Sequence, residues 1–576
     1  MTLAADILPS AEQGGYPKEA TDRDPLLPKK KESLLGADAD FFALVFFSET
    51  VLIGLTSPMV VTAGGFMFMA YHLSGPQCSL YTAIIGLPYA LQPCIGLLSD
   101  VVPICGYRKS PYIMLASVGG LIGFFTIGSS NTRSHLGQIP MRSDAYPSIP
   151  LNVFMICSVL ITTMIVTVSV LMRSRLAIVF NDLHDSGQVE KSNNINYYFS
   201  FAGCLGFLLS SFVTGLMLSH LPASKVFLVA GAMACTVPLY TMLRGFGEPR
   251  ISHEKIIAAR MFFAEQWEAV FLSILLCVGT IITVIVSMLT QSNIAIKIVV
   301  SGIFFLVVML SFGVLLNPTI LRMCAFFFIR NAVSVQTKSA DMYFYLDNTL
   351  EFPRGPHLTK FFVTFTVPLI GVVAYVVGIG IFRARATTTP VRKLLLIVIL
   401  LTIPCEMFEI ALVKRWNIAM GVSDELLALI STSFFTILRA LAEMPFVFIA
   451  TRLCPKGMES TVTSLILGAD KVASTFGANV TAKLLSAWHI SPKGIPFEQK
   501  QFDNLWKIIV FGRIVGYVVA LCTLPLLPSM LVSDPILGED DTLTSGSHLR
   551  RWMRKRGTKG TLSPLSESSD CERARQ

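Results

Sequence analysis

The sequence predicts an all-α polytopic membrane protein, from its composition and from the spacing of its apolar runs. Of its 576 residues, 53% are hydrophobic and 14% are charged, whereas a soluble protein carries about 25% charged residues. Apolar character recurs from about residue 41 to residue 530 without a long polar domain. A soluble core cannot bury so much apolar surface, so we predict one membrane domain with polar ends.

A helix that crosses a bilayer needs about 20 mainly apolar residues. Fourteen runs satisfy this, and the weakest is 323–346, which charged residues interrupt. The predicted spans are 41–70, 78–100, 111–130, 151–172, 195–219, 224–243, 268–289, 298–317, 323–346, 361–382, 394–413, 425–450, 460–486 and 505–528.

Basic residues predict the orientation, because Lys and Arg in short loops tend to stay cytoplasmic. The terminal runs KKK and HLRRWMRKRGTKG and the connections YRK, RSR and FRARATTTPVRK all fall on one side when both termini are inside. The sequence therefore predicts cytoplasmic termini. The chain has a net charge of +9, and its concentration in these segments favours contact with the anionic lipid bilayer over nucleic acid.

Cysteine and histidine usage argues against several function classes. The 12 cysteines are scattered and the 8 histidines fall in loops or at span edges, which predicts neither a disulfide framework nor a metal site. A phosphate-binding GxxxxGK[ST] loop is absent. The tails 1–40 and 529–576 are polar and are predicted to be disordered. We therefore expect no cofactor and no enzymatic activity.

The loop GLLSDVVPICGYRKSPY, residues 96–112, places an acid, two bases and two glycines between two apolar spans. It resembles the signature loop of the major facilitator superfamily, whose acid and bases form a breakable latch on the cytoplasmic face. The alternative is a basic anchor with an incidental aspartate. The resemblance predicts a conformational latch made of Gly96, Asp100, Gly106, Arg108 and Lys109.

The fuller pattern resembles the folate-biopterin transporter family and its GxxSDxxPxxGYRRxPY segment. A second segment, RLCPKGMEST, resembles that family's LCPxGxE motif, and EFPRGPHLTKFF is similar to its kinetoplastid members. Two departures are Ser110 in place of a third base and the segment VFNDLHDSGQVEKSNN after span four.

This resemblance implies a major-facilitator-like bundle of six plus six helices with two extra central spans. The predicted domains are then an N-terminal bundle at 41–243, a loop with the extra spans at 244–322, and a C-terminal bundle at 323–528. It also implies a secondary active transporter that imports folate, biopterin or a related pteridine by alternating access, with coupling to a proton left open. The alternatives are a carrier of another nutrient such as S-adenosylmethionine, or a membrane sensor or enzyme on the same bundle.

Charged residues inside spans are costly and usually functional. A pterin edge presents donors to a carboxylate, and the glutamate tail of folate needs Arg or Lys. Arg439 and Glu443 lie four residues apart and are expected to pair on one helix face, whereas Glu406 and Glu409 have no basic neighbour nearer than Lys393. The candidate substrate-binding residues are Glu49, Arg330, Asp341, Glu406, Asp470, Lys471 and Arg513, with Lys338 as a further cation.

The expected location is the plasma membrane, with an endosomal or lysosome-related membrane as the alternative. The alternative depends on DRDPLLP in the N-terminal tail, where Asp22, Leu26 and Leu27 have the spacing of an acidic dileucine signal for a sorting adaptor. Such short patterns also occur by chance in tails that no sorting adaptor binds.

Overall fold

The protein is a helical bundle, seen here in a computed structural model. The structure describes residues 39–130, 132–134, 145–185, 189–244, 248, 250, 261, 263–264, 266–290, 293–385, 388–452, 459–496, 498–531, 544 and 546–552. The predicted sorting signal and most of the RLCPKGMEST segment lie outside these residues.

The described residues of the first half of the chain form ten helices and one short hairpin. The first span is a continuous helical run that passes through a π-helical segment, Phe46–Thr56, between α1 and α2. The helices are α1 (Ala39–Val45), α2 (Ser57–Ala70), α3 (Gly75–Ile85), α4 (Leu87–Ala90), α5 (Gln92–Val101), α6 (Ser110–Gly128), α7 (Leu151–Asp185), α8 (Val189–His220), α9 (Ala223–Ala234) and α10 (Thr236–Arg244). The strands β1 (Thr132–Ser134) and β2 (Ala145–Pro147) pair antiparallel between α6 and α7.

The second half begins with a pair of long apolar helices, α11 and α12, and continues with ten more. Two further π-helical segments, Phe362–Thr366 and Ile509–Ile514, precede α15 and α22. The helices are α11 (Trp267–Leu289), α12 (Ile294–Leu315), α13 (Pro318–Ala332), α14 (Lys338–Leu346), α15 (Val367–Arg385), α16 (Val391–Val413), α17 (Trp416–Ala419), α18 (Asp424–Arg452), α19 (Glu459–Ala487), α20 (Gln499–Phe502), α21 (Leu505–Ile508) and α22 (Val515–Thr523), followed by a 3₁₀ turn, Leu524–Leu526.

Eleven helices among the described residues are long and apolar enough to cross a membrane. The other three predicted spans are interrupted or polar. Span 78–100 is divided into α3, α4 and α5, span 323–346 is divided into α13 and α14, and span 460–486 is the charged helix α19. The predicted helical membrane fold is therefore confirmed, while the count of fourteen stays a prediction.

The helix α19 is the main contact between the two halves. It packs against α3, α4, α5 and α7 of the first half and against α13 of the second. The pair α11–α12 packs along the same seam, because α11 contacts both α5 and α19. A disulfide between Cys94 and Cys277 also joins α5 to α11, a bond that the cysteine spacing does not predict.

The C-terminal segment contacts the bundle, where the sequence analysis expected a disordered tail. Arg550 donates two hydrogen bonds to the buried Glu268 carboxylate at the start of α11, at 2.7 and 3.1 Å. Thr544 donates to the side chain of Gln266 at 3.3 Å. Described residues 544 and 546–552 are thus attached to the central helix pair.

Close backbone packing should make Gly477 on α19 intolerant of a side chain. A Cβ atom there would lie 3.0 Å from the carbonyl oxygens of Asn331 and Ala332, so Gly477→Ala must push two helices apart. We expect a loss of about 1–3 kcal/mol in stability, measured as a lower melting temperature of the purified protein. The matched control is Gly380→Ala in α15, where no atom lies within 4 Å of the added carbon; equal melting temperatures for the two variants would contradict the prediction.

Candidate functional site

A cavity of about 600 Å³ lies between the two halves of the bundle. Ligand pockets of roughly 300–1,000 Å³ hold small organic molecules, so the volume suits a nutrient-sized solute. Its described lining contains two lysines and no aspartate or glutamate. Polar side chains that line it include Tyr89, Ser158 and Ser210 from the first half and Gln336, Lys338 and Lys471 from the second.

The two lysines give the cavity a positive character. Lys471 projects from the middle of α19, and its Nζ lies 5.0 Å from the ring centroid of Tyr89, within cation–π distance. Lys338 is the first residue of α14. Neither lysine forms an ion pair with a residue that the structure describes, so both ammonium groups can meet an anionic ligand.

A break between α13 and α14 places Lys338 on the cavity. Residues 333–337 are non-helical in the middle of a predicted span. Non-helical backbone at membrane depth is tolerated only where protein or an aqueous cavity surrounds it. Here Gly477 of α19 packs against the carbonyl groups that precede the break, and the Gln336 N–H donates to Thr481 Oγ1 at 3.4 Å.

A cluster of ion pairs lies at the C-terminal end of this break. The guanidinium of Arg513 lies 3.0 Å from Asp341 Oδ2 and 3.5 Å from Glu406 Oε2, and it also bonds Glu409 and the hydroxyl of Thr337. Thr337 in turn donates to Asp341 at 2.6 Å. We call Arg513, Asp341, Glu406 and Glu409 the Arg513 cluster.

The remaining candidate binding residues lie away from the described cavity lining. Glu49 is buried in the first span beside Gly203 of α8, and its Oε2 atom has no hydrogen-bond partner. Asp470 accepts a hydrogen bond from Asn331, and Arg330 interacts electrostatically with Asp470 and Glu443.

The structure thus brings together three candidates, Asp341, Glu406 and Arg513. Of the candidate binding residues, Lys471 and the further cation Lys338 line the described cavity. Their role in binding substrate stays a prediction. Arg439 and Glu443 pair at 2.7 Å, as their spacing predicts. Tyr89 and Gln336 are not predicted from the sequence, because an aromatic or amide side chain in a span usually serves packing. The polar run SVQTK in an otherwise apolar span is the available signal for Gln336.

The signature loop meets the second half of the chain at the start of α19. Asp100 Oδ2 accepts from the backbone N–H and the hydroxyl of Thr461, both at 2.9 Å, so a carboxylate of one half caps a helix of the other. Gly96 permits this approach, because a Cβ atom there would collide with Ser464 and with the carbonyl of Ser460.

The two basic residues of the predicted latch make hydrogen bonds through both side-chain and backbone groups. Lys109 donates from Nζ to Ser174 Oγ on α7 at 2.9 Å, and Ser460 donates to the same hydroxyl at 2.7 Å. The backbone N–H groups of Arg108 and Lys109 donate to Glu248 at 2.8 and 2.9 Å, which caps α6. Gly106 adopts φ +83°, a left-handed turn conformation.

Solved structures show the class of fold. A POT family transporter in complex with 5-aminolevulinic acid aligns with a TM-score of 0.55 and 12% identity, over 88% of this chain and 99% of that one. The nucleoside transporter NupG aligns with a TM-score of 0.52 and 13% identity, over 84% and 99%. These likenesses show that the chain shares the fold of these two transporters.

The sequence of this chain matches a family of known proteins over most of its length. Residues 54–545 match the model of the BT1 family, so the chain belongs to the BT1 family of folate-biopterin transporters. This confirms the predicted fold class and the prediction of a transporter rather than an enzyme.

Relatives of this chain carry transporter names. The probable folate-biopterin transporter 6 of Arabidopsis thaliana is 23% identical over 80% of this chain and 77% of its own length. The folate-biopterin transporter of Synechocystis is 25% identical over 79% and 75%, and folate transporter 1 of Plasmodium falciparum is 20% identical over 87% and 81%.

The contact between Asp100 and α19 predicts a specific effect on switching between conformations. In Asp100→Asn, the amide should weaken the cap on α19 and destabilise the closed contact by about 0.3–2 kcal/mol, a roughly 2- to 30-fold shift. We expect normal membrane insertion and slower transport, measured as initial uptake rate per molecule at the surface.

The control is Glu248→Gln, which alters a cap on α6 without touching α19. We expect it to change uptake less than Asp100→Asn does. Unchanged turnover in Asp100→Asn at normal expression would count against a latch at this residue.

Proposed function

We propose that this protein imports folate, biopterin or a related pteridine across a membrane by alternating access. The observation that carries the proposal is the cavity of about 600 Å³ between the two halves, lined by Lys338 and Lys471. The relatives named as folate and folate-biopterin transporters support the substrate class.

The contacts at the signature loop supply the gate. Asp100 and Gly96 of the first half meet α19 of the second at one end of the bundle. When the halves 41–243 and 323–528 rock about the cavity, these contacts must separate to open that end. A cap of two hydrogen bonds is strong enough to favour the closed conformation and weak enough to release.

The cavity chemistry favours an anionic solute with an aromatic ring. The carboxylates of a folate glutamate tail would pair with Lys338 and Lys471. The side chain of Gln336 offers a donor and an acceptor to the pterin edge. We assign the folate tail to the lysines, since the described lining holds no carboxylate.

The same charges weigh against the alternative substrate. S-adenosylmethionine carries a sulfonium cation, and the two lysines of the cavity lining would repel it. A non-transporting sensor or enzyme on this bundle would need an output domain or a catalytic group. No set of His, Cys, Asp and Glu among the described residues could hold a metal ion.

The proposed location is the plasma membrane, with both termini cytoplasmic. The excess of basic residues in the predicted inside loops supports this orientation. The sorting signal at Asp22, Leu26 and Leu27 stays a prediction of the sequence, and a double substitution of the leucines would show whether an adaptor reads it.

Uptake into proteoliposomes tests the proposal directly. Purified protein is reconstituted, and time-dependent entry of labelled folate is measured with unlabelled folate, biopterin or S-adenosylmethionine in competition. We expect folate and biopterin to compete and S-adenosylmethionine not to. Absence of entry and of exchange for every pteridine would exclude the proposed function.

The two lysines should distinguish folate from biopterin, which lacks the glutamate tail. A charge-assisted hydrogen bond contributes about 1.5–3 kcal/mol, so Lys471→Gln or Lys338→Gln should weaken folate binding by roughly 10- to 100-fold. The effect on biopterin should be much smaller. Competition by each ligand against labelled biopterin measures both affinities.

The matched control is Lys483→Gln, an exposed lysine on the same helix that does not line the cavity. It should leave both affinities unchanged.

Arg513→Gln should instead reduce the yield of folded protein, since it leaves three buried carboxylates without their partner. If Lys471→Gln and Lys338→Gln reduce the affinities for folate and biopterin equally, these lysines do not bind the glutamate tail of folate.

A further inference from the structure

A buried lysine lies in the central helix pair, outside the described cavity lining. Lys297 is the only charged residue of α12, and it is 4% exposed. A charge inside a membrane span is costly and usually belongs to a functional site. Neither the predicted latch nor the proposed substrate site uses this lysine.

The ammonium group of Lys297 has no partner among the described residues. The hydroxyl of Ser301 donates to the backbone carbonyl of Lys297 at 2.7 Å, which leaves the side chain of the lysine unused. No acidic side chain in the described part of the chain interacts with it. The nearest helix in sequence, α11, has one acid, Glu268, which lies at its opposite end and pairs with Arg550. A buried ammonium without a counter-charge is unfavourable.

The helix α19 packs antiparallel along the buried face of α12. Asn479 Nδ2 donates to Ser301 Oγ at 3.1 Å. One turn further along α12, the ring of Phe305 stacks on Phe476, with the ring centroids 5.9 Å apart. Between these two contacts the residue numbers rise along α12 and fall along α19, so the two helices run in opposite directions.

A second lysine lies at the same end of this seam. Lys297 precedes Ser301 by four residues, and Lys483 follows Asn479 by four. Residues four apart share a helix face, and at a rise of about 1.5 Å per residue each lysine is about 6 Å along its helix from the Asn479–Ser301 contact, in the same direction. Lys483 is exposed, so the seam is accessible on that side.

Both lysines lie close to a helix end. Lys297 is the fourth residue of α12, and Lys483 lies four residues before the end of α19. The ends of membrane-spanning helices lie near the lipid head groups. In the predicted orientation this is the outer face, where basic residues do not serve to hold the topology. Two cations without an acid at this depth indicate a site for an anion.

A lysine near the end of a span often extends its side chain to the water. The exposed Lys483 fits that description. Lys297 does not, because it lies on the buried face of α12 together with Ser301 and Phe304. Its charge is therefore enclosed by protein and needs an anion from outside the described chain.

The outer face of α12 offers a surface for acyl chains. A stripe of apolar side chains runs inward from the level of Lys297, and its members are between 57% and 69% exposed: Val299, Ile303, Leu306 and Leu310. Their spacing places them on one helix face. A phospholipid combines a phosphate group with acyl chains, so one molecule satisfies the lysines and covers this stripe, whereas free phosphate satisfies the lysines alone.

We infer that Lys297 and Lys483 bind the phosphate group of a phospholipid of the outer leaflet at the seam between α12 and α19. Lysine donates charge-assisted hydrogen bonds to phosphate oxygens, and the phosphate supplies the counter-charge that Lys297 lacks. The bound lipid holds the central helix pair against the helix that carries Lys471. The inference goes beyond the proposed function, since neither Lys297 nor Lys483 lines the cavity.

Thermal unfolding of the purified, delipidated full chain in detergent tests the site. Three additions are compared: dioleoylphosphatidylglycerol, dioleoylglycerol, which has the same chains and no phosphate, and inorganic phosphate. We expect the phospholipid alone to raise the melting temperature, because a ligand that binds the folded state stabilises it. In Lys297→Gln, the phospholipid concentration that gives half of the full shift should be roughly 10- to 100-fold higher.

Lys297→Arg keeps the cation and should retain most of the lipid effect. The matched control is Lys493→Gln, an exposed lysine in the loop after α19, which should respond to phosphatidylglycerol as the wild-type protein does. Lys483→Gln should weaken lipid binding while the affinity for folate stays unchanged, because Lys483 does not line the cavity.

The melting temperature without lipid separates this role from a purely structural one. If Lys297 pairs with a group of the protein, Lys297→Gln should melt below the wild-type protein even in the absence of lipid. The lipid site predicts that the variant melts no lower than the wild-type protein under those conditions, because the substitution removes an uncompensated charge. Should Lys297→Gln fold poorly, Lys483→Gln and the three additions to the wild-type protein still decide the point.

Three outcomes would overturn the inference. One is an equal response of the wild-type protein and Lys297→Gln to phosphatidylglycerol. Another is an equal stabilisation by dioleoylglycerol, which would show that acyl chains alone bind. The third is a full shift with inorganic phosphate, which would make the anion a free phosphate rather than a lipid. None of these measurements involves folate transport, so a failure here is distinct from a failure of the proposed function.

Discussion

The ion pairs around Arg513 hold in place the feature on which the cavity depends, the break between α13 and α14. Without the break, residues 333–337 would continue a helix, and Lys338 would not begin a new one beside the cavity. The guanidinium joins Thr337, the last residue of the break, and Asp341 of α14 to Glu406 and Glu409 of α16. A buried ion pair adds little net stability, but loss of one partner leaves uncompensated charge. The cluster thus specifies one geometry for the break.

Small residues complete this arrangement, because a broken helix must be enclosed by closely packed neighbours. Gly477 of α19 lies against carbonyl oxygens at the end of α13, and Gly512, beside Arg513 in its π-helical segment, lies against Val335. A Cβ at Gly512 would sit 3.1 Å from the Val335 methyl groups. Close packing of these two elements therefore covers the unwound residues, which limits the exposure of their peptide groups to lipid.

The sequence predicts the apolar elements well and the polar contacts poorly, for a physical reason. Eleven spans follow from hydropathy alone, whereas three further segments that line the cavity, α3–α4, α14 with the break before it, and α19, are broken or charged. Glu406 has no basic neighbour nearby in sequence, and its partner Arg513 is 107 positions away. The signature motif identifies Asp100, but its partner is a backbone N–H 361 positions away. Pairing across such separations depends on tertiary packing, which local pattern does not encode.

The helix α19 connects the latch, the cavity and the break. Near its N-terminus, the backbone N–H of Thr461 donates to Asp100. Further along, Lys471 lines the cavity, and Gly477 packs against the backbone carbonyl groups beside the break. At a rise of about 1.5 Å per residue, Thr461 and Lys471 lie about 15 Å apart on one rigid element. A movement of α19 that releases the Asp100 cap must therefore also displace Lys471 relative to Tyr89 on the opposite half. The proposed gate at Asp100 and the proposed cationic site at Lys471 therefore cannot change independently, because one continuous helix belongs to both.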